Sequence, residues 1–109
     1  MHAHDFEGAL LNLREAELDY AKAEQQSDQA TVSHGFRMIQ VKAQGQTNLS
    51  IAVALFQLGD KKQAISAVET SITQLNRVQS DHEIELGIQY DATRSLQEAQ
   101  AFLQRLKSQ

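Results

Sequence analysis

The sequence predicts an all-α protein, with an antiparallel four-helix bundle as its simplest form. Its 109 residues include no proline, the residue that interrupts helices most strongly. Apolar residues recur at spacings of three and four along most of the chain, as they do on the buried side of a helix. Helix-capping residues stand between the periodic segments. Because a chain of this length forms one core, we expect a single helical domain over residues 1–109.

The first helix is predicted over roughly residues 5–26. Its apolar residues form one continuous seam, which consists of Phe6, Ala9, Leu13, Ala16, Tyr20 and Ala23. Leu11 and Leu18 are seven residues apart and point well away from that seam. A second helix is predicted to begin near Ser27 or Asp28, because both residue types favour the N-cap position.

The second helix has an irregular pattern. Its apolar face consists of Val32, Phe36, Ile39 and Ala43, and it fails at Gln46, Thr47 and Ser50. The slip beside Gly45 indicates either a kink or a break with Thr47 capping a separate helix. We favour one continuous or bent helix, because no proline stops it. Residues 49–58 are apolar around the whole helix, which is typical of a segment buried on every side. Four short helices would struggle to surround it, so a partner chain is an open alternative.

The third and fourth helices are predicted from their ends. Gly59 suits the left-handed conformation that closes a helix, and Asp60 with Gln63 matches a capping box, so a helix is expected over 61–79. The same capping pattern predicts a helix boundary at Ser80 and a helix over 81–107. The buried side of this last helix is expected to hold Ile84, Ile88, Ala92, Ala99, Phe102 and Leu106. Leu86 and Tyr90 point nearly opposite Ile84 and Ile88.

Residues 48–76 resemble a tetratricopeptide (TPR) helical hairpin. The positions that carry the resemblance are Ala52, Leu55, Gly59, Asp60, Ala64, Ile65, Val68 and Ser71. Asn48 and Asn76 stand where that family has an aromatic residue and a closing proline. A partial copy occurs at 5–16, but 55 residues away, whereas the family's period is about 34. The resemblance implies irregular TPR-like helical hairpins as the alternative architecture, and a protein that binds proteins or peptides.

Residues 6–17 also resemble the first helix of acidic four-helix export chaperones, such as those that escort flagellin. This resemblance implies a chaperone that holds one partner through an exposed apolar groove.

One pair of residues suggests catalysis. Arg77 and His82, with four residues between them, resemble the Arg–His motif of ribonuclease toxins built on the HEPN helical bundle. The resemblance implies an arginine that stabilises phosphoryl charge beside a histidine that moves a proton. Val78 stands where that family usually has a polar residue, and a surface arginine with a histidine in a helix's first turn is the simpler interpretation.

Composition narrows the remaining classes of function. The formal net charge of −4 and the lack of a basic cluster disfavour nucleic-acid binding. The longest apolar run, residues 49–58, is half of the ~20 residues that cross a bilayer, so we expect no membrane association. Cysteine is absent, which fits a cytoplasmic protein, and we expect no metal or organic cofactor because no ligand set has helical spacing.

The sequence therefore favours a non-enzymatic helical module that interacts with a protein or peptide. The expected partner-binding residues are those off the core faces: Leu11, Leu18, Leu86 and Tyr90. A self-associating structural bundle, for example a homodimer, is the second hypothesis, and the ribonuclease is a remote third. The first two differ in whether these four side chains line an open surface or meet a second copy.

Overall fold

The structure, a computed structural model, describes residues 3–29 and 34–108. Four helices account for most of these residues: α1 (Ala3–Gln29), α2 (His34–Gln57), α3 (Lys61–Gln79) and α4 (Leu86–Lys107). No strand occurs in the two described ranges. The all-α prediction is therefore confirmed, and α3 has the predicted bounds.

The turn between α2 and α3 forms as the sequence predicts. Gly59 has a φ of 87°, a conformation that glycine adopts without the steric cost of a Cβ. The backbone N–H of Gly59 donates to the carbonyl of Phe56 and that of Asp60 to the carbonyl of Leu55, which is a Schellman motif. The Asp60 carboxylate then accepts a hydrogen bond from the Gln63 backbone N–H at 3.0 Å. This turn reverses the chain, so α3 runs antiparallel to α2.

Two predicted helix starts are wrong. α1 continues through Gln29 and α2 begins at His34, so Ser27 and Asp28 lie within α1, where each costs only a few tenths of a kcal/mol in helix propensity. Residues 30–33, which include Val32, lie outside the described residues. The fourth helix begins at Leu86 and not at residue 81.

The α3–α4 connection explains the late start of α4. The Asp81 carboxylate accepts a hydrogen bond from the Glu83 backbone N–H at 2.9 Å. The Gln89 side-chain amide donates to the Asp81 carbonyl. Aspartate uses such local bonds to stabilise turns as readily as helix ends. Asp81 therefore holds a turn that precedes the helix, and Glu85 becomes the N-cap without a side-chain hydrogen bond.

α2 is one continuous helix, as predicted, and it packs tightly against α3 at Gly45. A Cβ at Gly45 would lie 2.7 Å from Cγ of Leu75. Ser71 donates its hydroxyl to the Gly45 carbonyl at 2.6 Å, and Asn48 donates to the Gln74 side chain at 2.8 Å. The apolar pattern slips here because a glycine and hydrogen-bonded polar residues form the contact.

α2 lies at the centre of the domain and contacts all three other helices. Lys42 contacts Asp91 on α4, and Gln46, one turn later, contacts Ser95. A step of one turn along α2 moves the contact by one turn in the same direction along α4, so α2 and α4 run parallel. No Cα atom of α1 lies within 8 Å of one in α4 among the described residues. The described helices therefore do not close into a ring, and α1 packs mainly on α2.

The chain's own helices cover most of residues 49–58. Ile51, Ala52, Ala54 and Leu55 are buried within the chain. The chain therefore covers much of this segment without a partner chain, because α2 has α1, α3 and α4 as neighbours. A partner chain stays an open alternative for the exposed side of the segment. Val53 is the large apolar residue of the segment that stays exposed.

Candidate interaction surfaces

Leu11 and Leu18 lie on the outward side of α1. Their exposed fractions are 66% and 62%. Leu10 and Leu13, on the other side of the helix, pack against the core. The two leucines are two turns apart, so they form an apolar stripe with no cover from the described part of the chain.

Leu86 and Tyr90 form a matching pair on the outward side of α4, with exposed fractions of 65% and 70%. Ala92, Leu96 and Ala99 are buried on the opposite side. Because α1 and α4 do not pack together, the structure does not unite the two pairs into one surface. All four predicted residues are thus available for contact on two separate helices.

The structure adds an apolar groove that sequence reasoning missed, which we call the N-terminal groove. It lies between the start of α2 and the α3–α4 turn with the first turn of α4, and it measures about 490 Å³. It is lined by Gly35, Phe36, Ile39, Glu83, Ile84, Glu85 and Ile88. The sequence prediction that Phe36 and Ile39 belong to the buried face of α2 is wrong, since both are exposed by more than 40%.

A second opening, the C-terminal groove, lies further along the same two helices and measures about 340 Å³. It is lined by Leu49, Val53, Glu98, Ala101, Phe102 and Arg105. Phe102 makes an edge-to-face contact with Phe56, with ring centroids 6.0 Å apart. The lining is therefore mainly apolar, and Glu98 and Arg105 add one charge of each sign.

Polar contacts separate the two grooves. Lys42 Nζ donates to Asp91 Oδ2 at 2.6 Å, and the Gln46 side-chain amide lies 3.3 Å from the same oxygen and 3.0 Å from Ser95 Oγ. The hydrogen bond from Lys42 lowers the pKa of Asp91, against the opposing effect of desolvation. These groups hold α2 beside α4, which keeps both grooves in place.

A cluster of three possible metal ligands joins α2 to the α3–α4 turn. His34 Nε2 contacts Asp81 Oδ2 directly and lies 3.9 Å from Glu83 Oε2. The Glu83 backbone N–H, followed by the His34 contact, lowers the pKa of Asp81. One imidazole and two carboxylates could hold a divalent cation, and His34 and Glu83 are exposed. Sequence reasoning missed this cluster because 47 or more residues separate His34 from its partners.

Arg77 and His82 stand on either side of the end of α3. Arg77 is exposed in the last turn of α3, and His82 is exposed in the turn that follows. The ribonuclease hypothesis based on this pair stays a prediction.

Comparison of the chain with protein-family models, curated proteins and solved structures finds no significant match. The resemblance to TPR hairpins therefore stays an expectation. Among the described residues, no helix combines the length and apolar character needed to cross a bilayer. The surfaces described above are thus the basis on which a function can be argued.

Proposed function

We propose that this protein is a non-catalytic helical interaction module, an adaptor or chaperone-like protein that binds a protein or peptide segment through apolar helix surface. The observation that carries the proposal is the exposure of large apolar side chains on three of its helices. Among the described residues these are Leu11, Leu18, Phe36, Ile39, Val53, Leu86 and Tyr90. Single exposed apolar residues are normal, but stripes and open grooves of them are typical of interfaces.

The contacts of two acidic residues favour a non-catalytic role. Asp91 forms an ion pair with Lys42, and Asp81 contacts His34. Each of these carboxylates therefore serves to connect parts of the fold. The absence of cysteine fits a reducing compartment, and we therefore propose that the module works in the cytoplasm.

Site-specific photo-crosslinking tests this function. A photoreactive phenylalanine analogue replaces Leu18, Phe36 or Tyr90, one exposed apolar residue on each of three helices, and replaces Glu69 on the exposed side of α3 as the control. The protein is expressed in its native source, and a cross-linked polypeptide is then purified and tested for binding to the wild-type chain. We expect cross-links to one polypeptide at one or more of positions 18, 36 and 90 that are absent at position 69. Equal cross-linking at all four positions, or none at positions 18, 36 and 90, would contradict the proposal.

Self-association is the second candidate, and the two stripes on α1 and α4 favour it. If they meet their own copies, Leu18→Glu or Tyr90→Glu should convert a dimer to a monomer in sedimentation equilibrium. Both side chains are more than 60% exposed, so the helical far-UV spectrum should not change. Thr73→Glu, on the exposed side of α3, is the matched control. A wild-type chain that stays monomeric at high concentration excludes this candidate.

A further inference from the structure

The N-terminal groove has the size and chemistry of a site for apolar side chains. Its volume of about 490 Å³ lies within the range of roughly 300–1,000 Å³ that is usual for ligand clefts. Four large apolar residues line it: Phe36 and Ile39 from α2, Ile84 from the turn before α4, and Ile88 from α4. Phe36 and Ile39 are three residues apart on one helix, so they lie about one turn apart. Ile84 is buried, so the open apolar surface comes from Phe36, Ile39 and Ile88. A helix laid between α2 and α4 could place its own apolar side chains between the two α2 residues and Ile88.

The rim of this groove is acidic. Glu83 and Glu85 are the charged residues that line it, and both are exposed. No lysine or arginine is among the lining residues. A bound segment with lysine or arginine beside its apolar residues would therefore be attracted to the rim.

The net negative charge of the chain argues against a second copy as the occupant. The chain has 14 acidic and 10 basic residues, so two copies repel each other at long range. The C-terminal groove has Glu98 and Arg105 on its rim and gives no comparable preference. The acidic rim thus distinguishes the N-terminal groove and indicates the charge of its occupant.

We propose that the N-terminal groove binds a basic amphipathic helix of another protein, with apolar side chains on Phe36, Ile39 and Ile88 and basic side chains beside Glu83 and Glu85. This inference rests on the proposed function and specifies its surface and partner chemistry. It differs from the sequence-based expectation, which assigned partner binding to the outward stripes of α1 and α4.

Fluorescence anisotropy with synthetic peptides tests the inference on the full chain. The probe is a labelled peptide of about 18 residues, long enough to be partly helical, with leucines at spacings of three and four and flanking lysines. A second peptide has glutamate in place of each lysine. We expect the lysine peptide to bind at least about tenfold more tightly than the glutamate peptide, with a preference that shrinks as salt screens the charges.

Variants then locate the binding. Ile39→Ser removes apolar surface from the groove at a half-exposed position, and should weaken binding of the lysine peptide by roughly tenfold. Glu85→Lys should weaken it by a similar factor. Glu85 makes no side-chain cap hydrogen bond, so its replacement removes no hydrogen bond from α4, although lysine is less favourable than glutamate at a helix N-terminus. Glu69→Lys changes the net charge equally but lies outside the groove, and should have less than a twofold effect. Far-UV spectra confirm that each variant is folded.

Several results would overturn the inference, and they separate it from the proposed function. Failure of the lysine peptide to bind, or equal losses in Glu85→Lys and Glu69→Lys, excludes the groove as a site for a basic helix. Peptide binding that survives Ile39→Ser but disappears in Tyr90→Glu moves the site to the outward stripe of α4, and leaves the proposed function intact. Dimerisation that Ile39→Ser abolishes would show that a second copy occupies the groove.

Discussion

Gly45 offers a sharp test of how α2 packs on α3. We expect Gly45→Ala to destabilise the protein, although alanine is the better helix former by about 0.8–1.0 kcal/mol. The new Cβ would lie 2.7 Å from Cγ and 2.9 Å from Cδ2 of Leu75. Leu75 is fully buried, so its branch point cannot move aside without shifting its neighbours. Overpacking of this kind costs typically 1–3 kcal/mol.

The Ser71 hydrogen bond adds to the cost. Ser71 is fully buried and donates to the Gly45 carbonyl at 2.6 Å, so separation of the helices also weakens this bond. Overpacking and the loss of this bond together outweigh the propensity gain, and we expect a net loss of about 1–2 kcal/mol in the free energy of unfolding. For a domain of this size, that corresponds to a fall in Tm of roughly 5–15 °C.

Urea denaturation followed by far-UV circular dichroism measures this difference. Gly8→Ala is the matched control, because Gly8 also lies inside a helix and a Cβ at that position would have no neighbour within 4 Å. We expect Gly8→Ala to leave stability unchanged or to raise it by up to about 1 kcal/mol. A second change, Leu75→Ala, removes both atoms that the new Cβ would meet, so it should cost less stability in the Gly45→Ala background than in the wild type. Equal free energies of unfolding for Gly45→Ala and Gly8→Ala would show that α2 and α3 are not in close contact at Gly45.

Three further predictions concern the turn, the acidic pH range and metal. Asp60→Ala should lower the free energy of unfolding by about 1 kcal/mol in urea denaturation, because the cap to the Gln63 N–H is lost, while peptide binding by the folded protein should not change. The pKa of Asp91 is lowered from 3.8 in the folded state, so its contribution to stability is present above the unfolded pKa and is lost as pH falls through the folded pKa. The wild-type protein should therefore lose more stability than Asp91→Asn between about pH 5 and pH 2 in acid titrations of Tm. Metal chelators should leave Tm unchanged, because the direct contact with Asp81 already occupies the Nε2 atom of His34. A fall in Tm that zinc reverses would show that the His34 cluster is a structural metal site.

The sequence by itself determined the local features of this protein. The α2–α3 turn and the start of α3 were predicted correctly, because Gly59 supplies a positive φ and Asp60 caps the N–H of Gln63 only three residues later. The side chains of α3 also follow helical periodicity, with Val68 buried and Thr70 exposed. Such features depend on local backbone geometry and on helical periodicity, and both are written in short stretches of sequence.

The buried face of α2 was decided by tertiary packing. Phe36 and Ile39 are the more apolar candidates, yet the face that meets the core consists of Met38, Val41, Gly45, Asn48, Ala52 and Leu55. This face has the same three-four spacing, but it includes a glycine and an asparagine. Hydropathy does not identify this face. Gly45 belongs to it because a glycine leaves space for Leu75, and Asn48 belongs to it because its side chain bonds to Gln74.

The candidate surfaces divide in the same way. The outward direction of Leu11, Leu18, Leu86 and Tyr90 followed from helical periodicity alone, and the structure shows all four exposed. The N-terminal groove and the His34 cluster could not be predicted, because they join the beginning of α2 to residues almost fifty positions later. Their existence depends on the parallel placement of α2 and α4 across α3, which arises from the combined packing of all three helices.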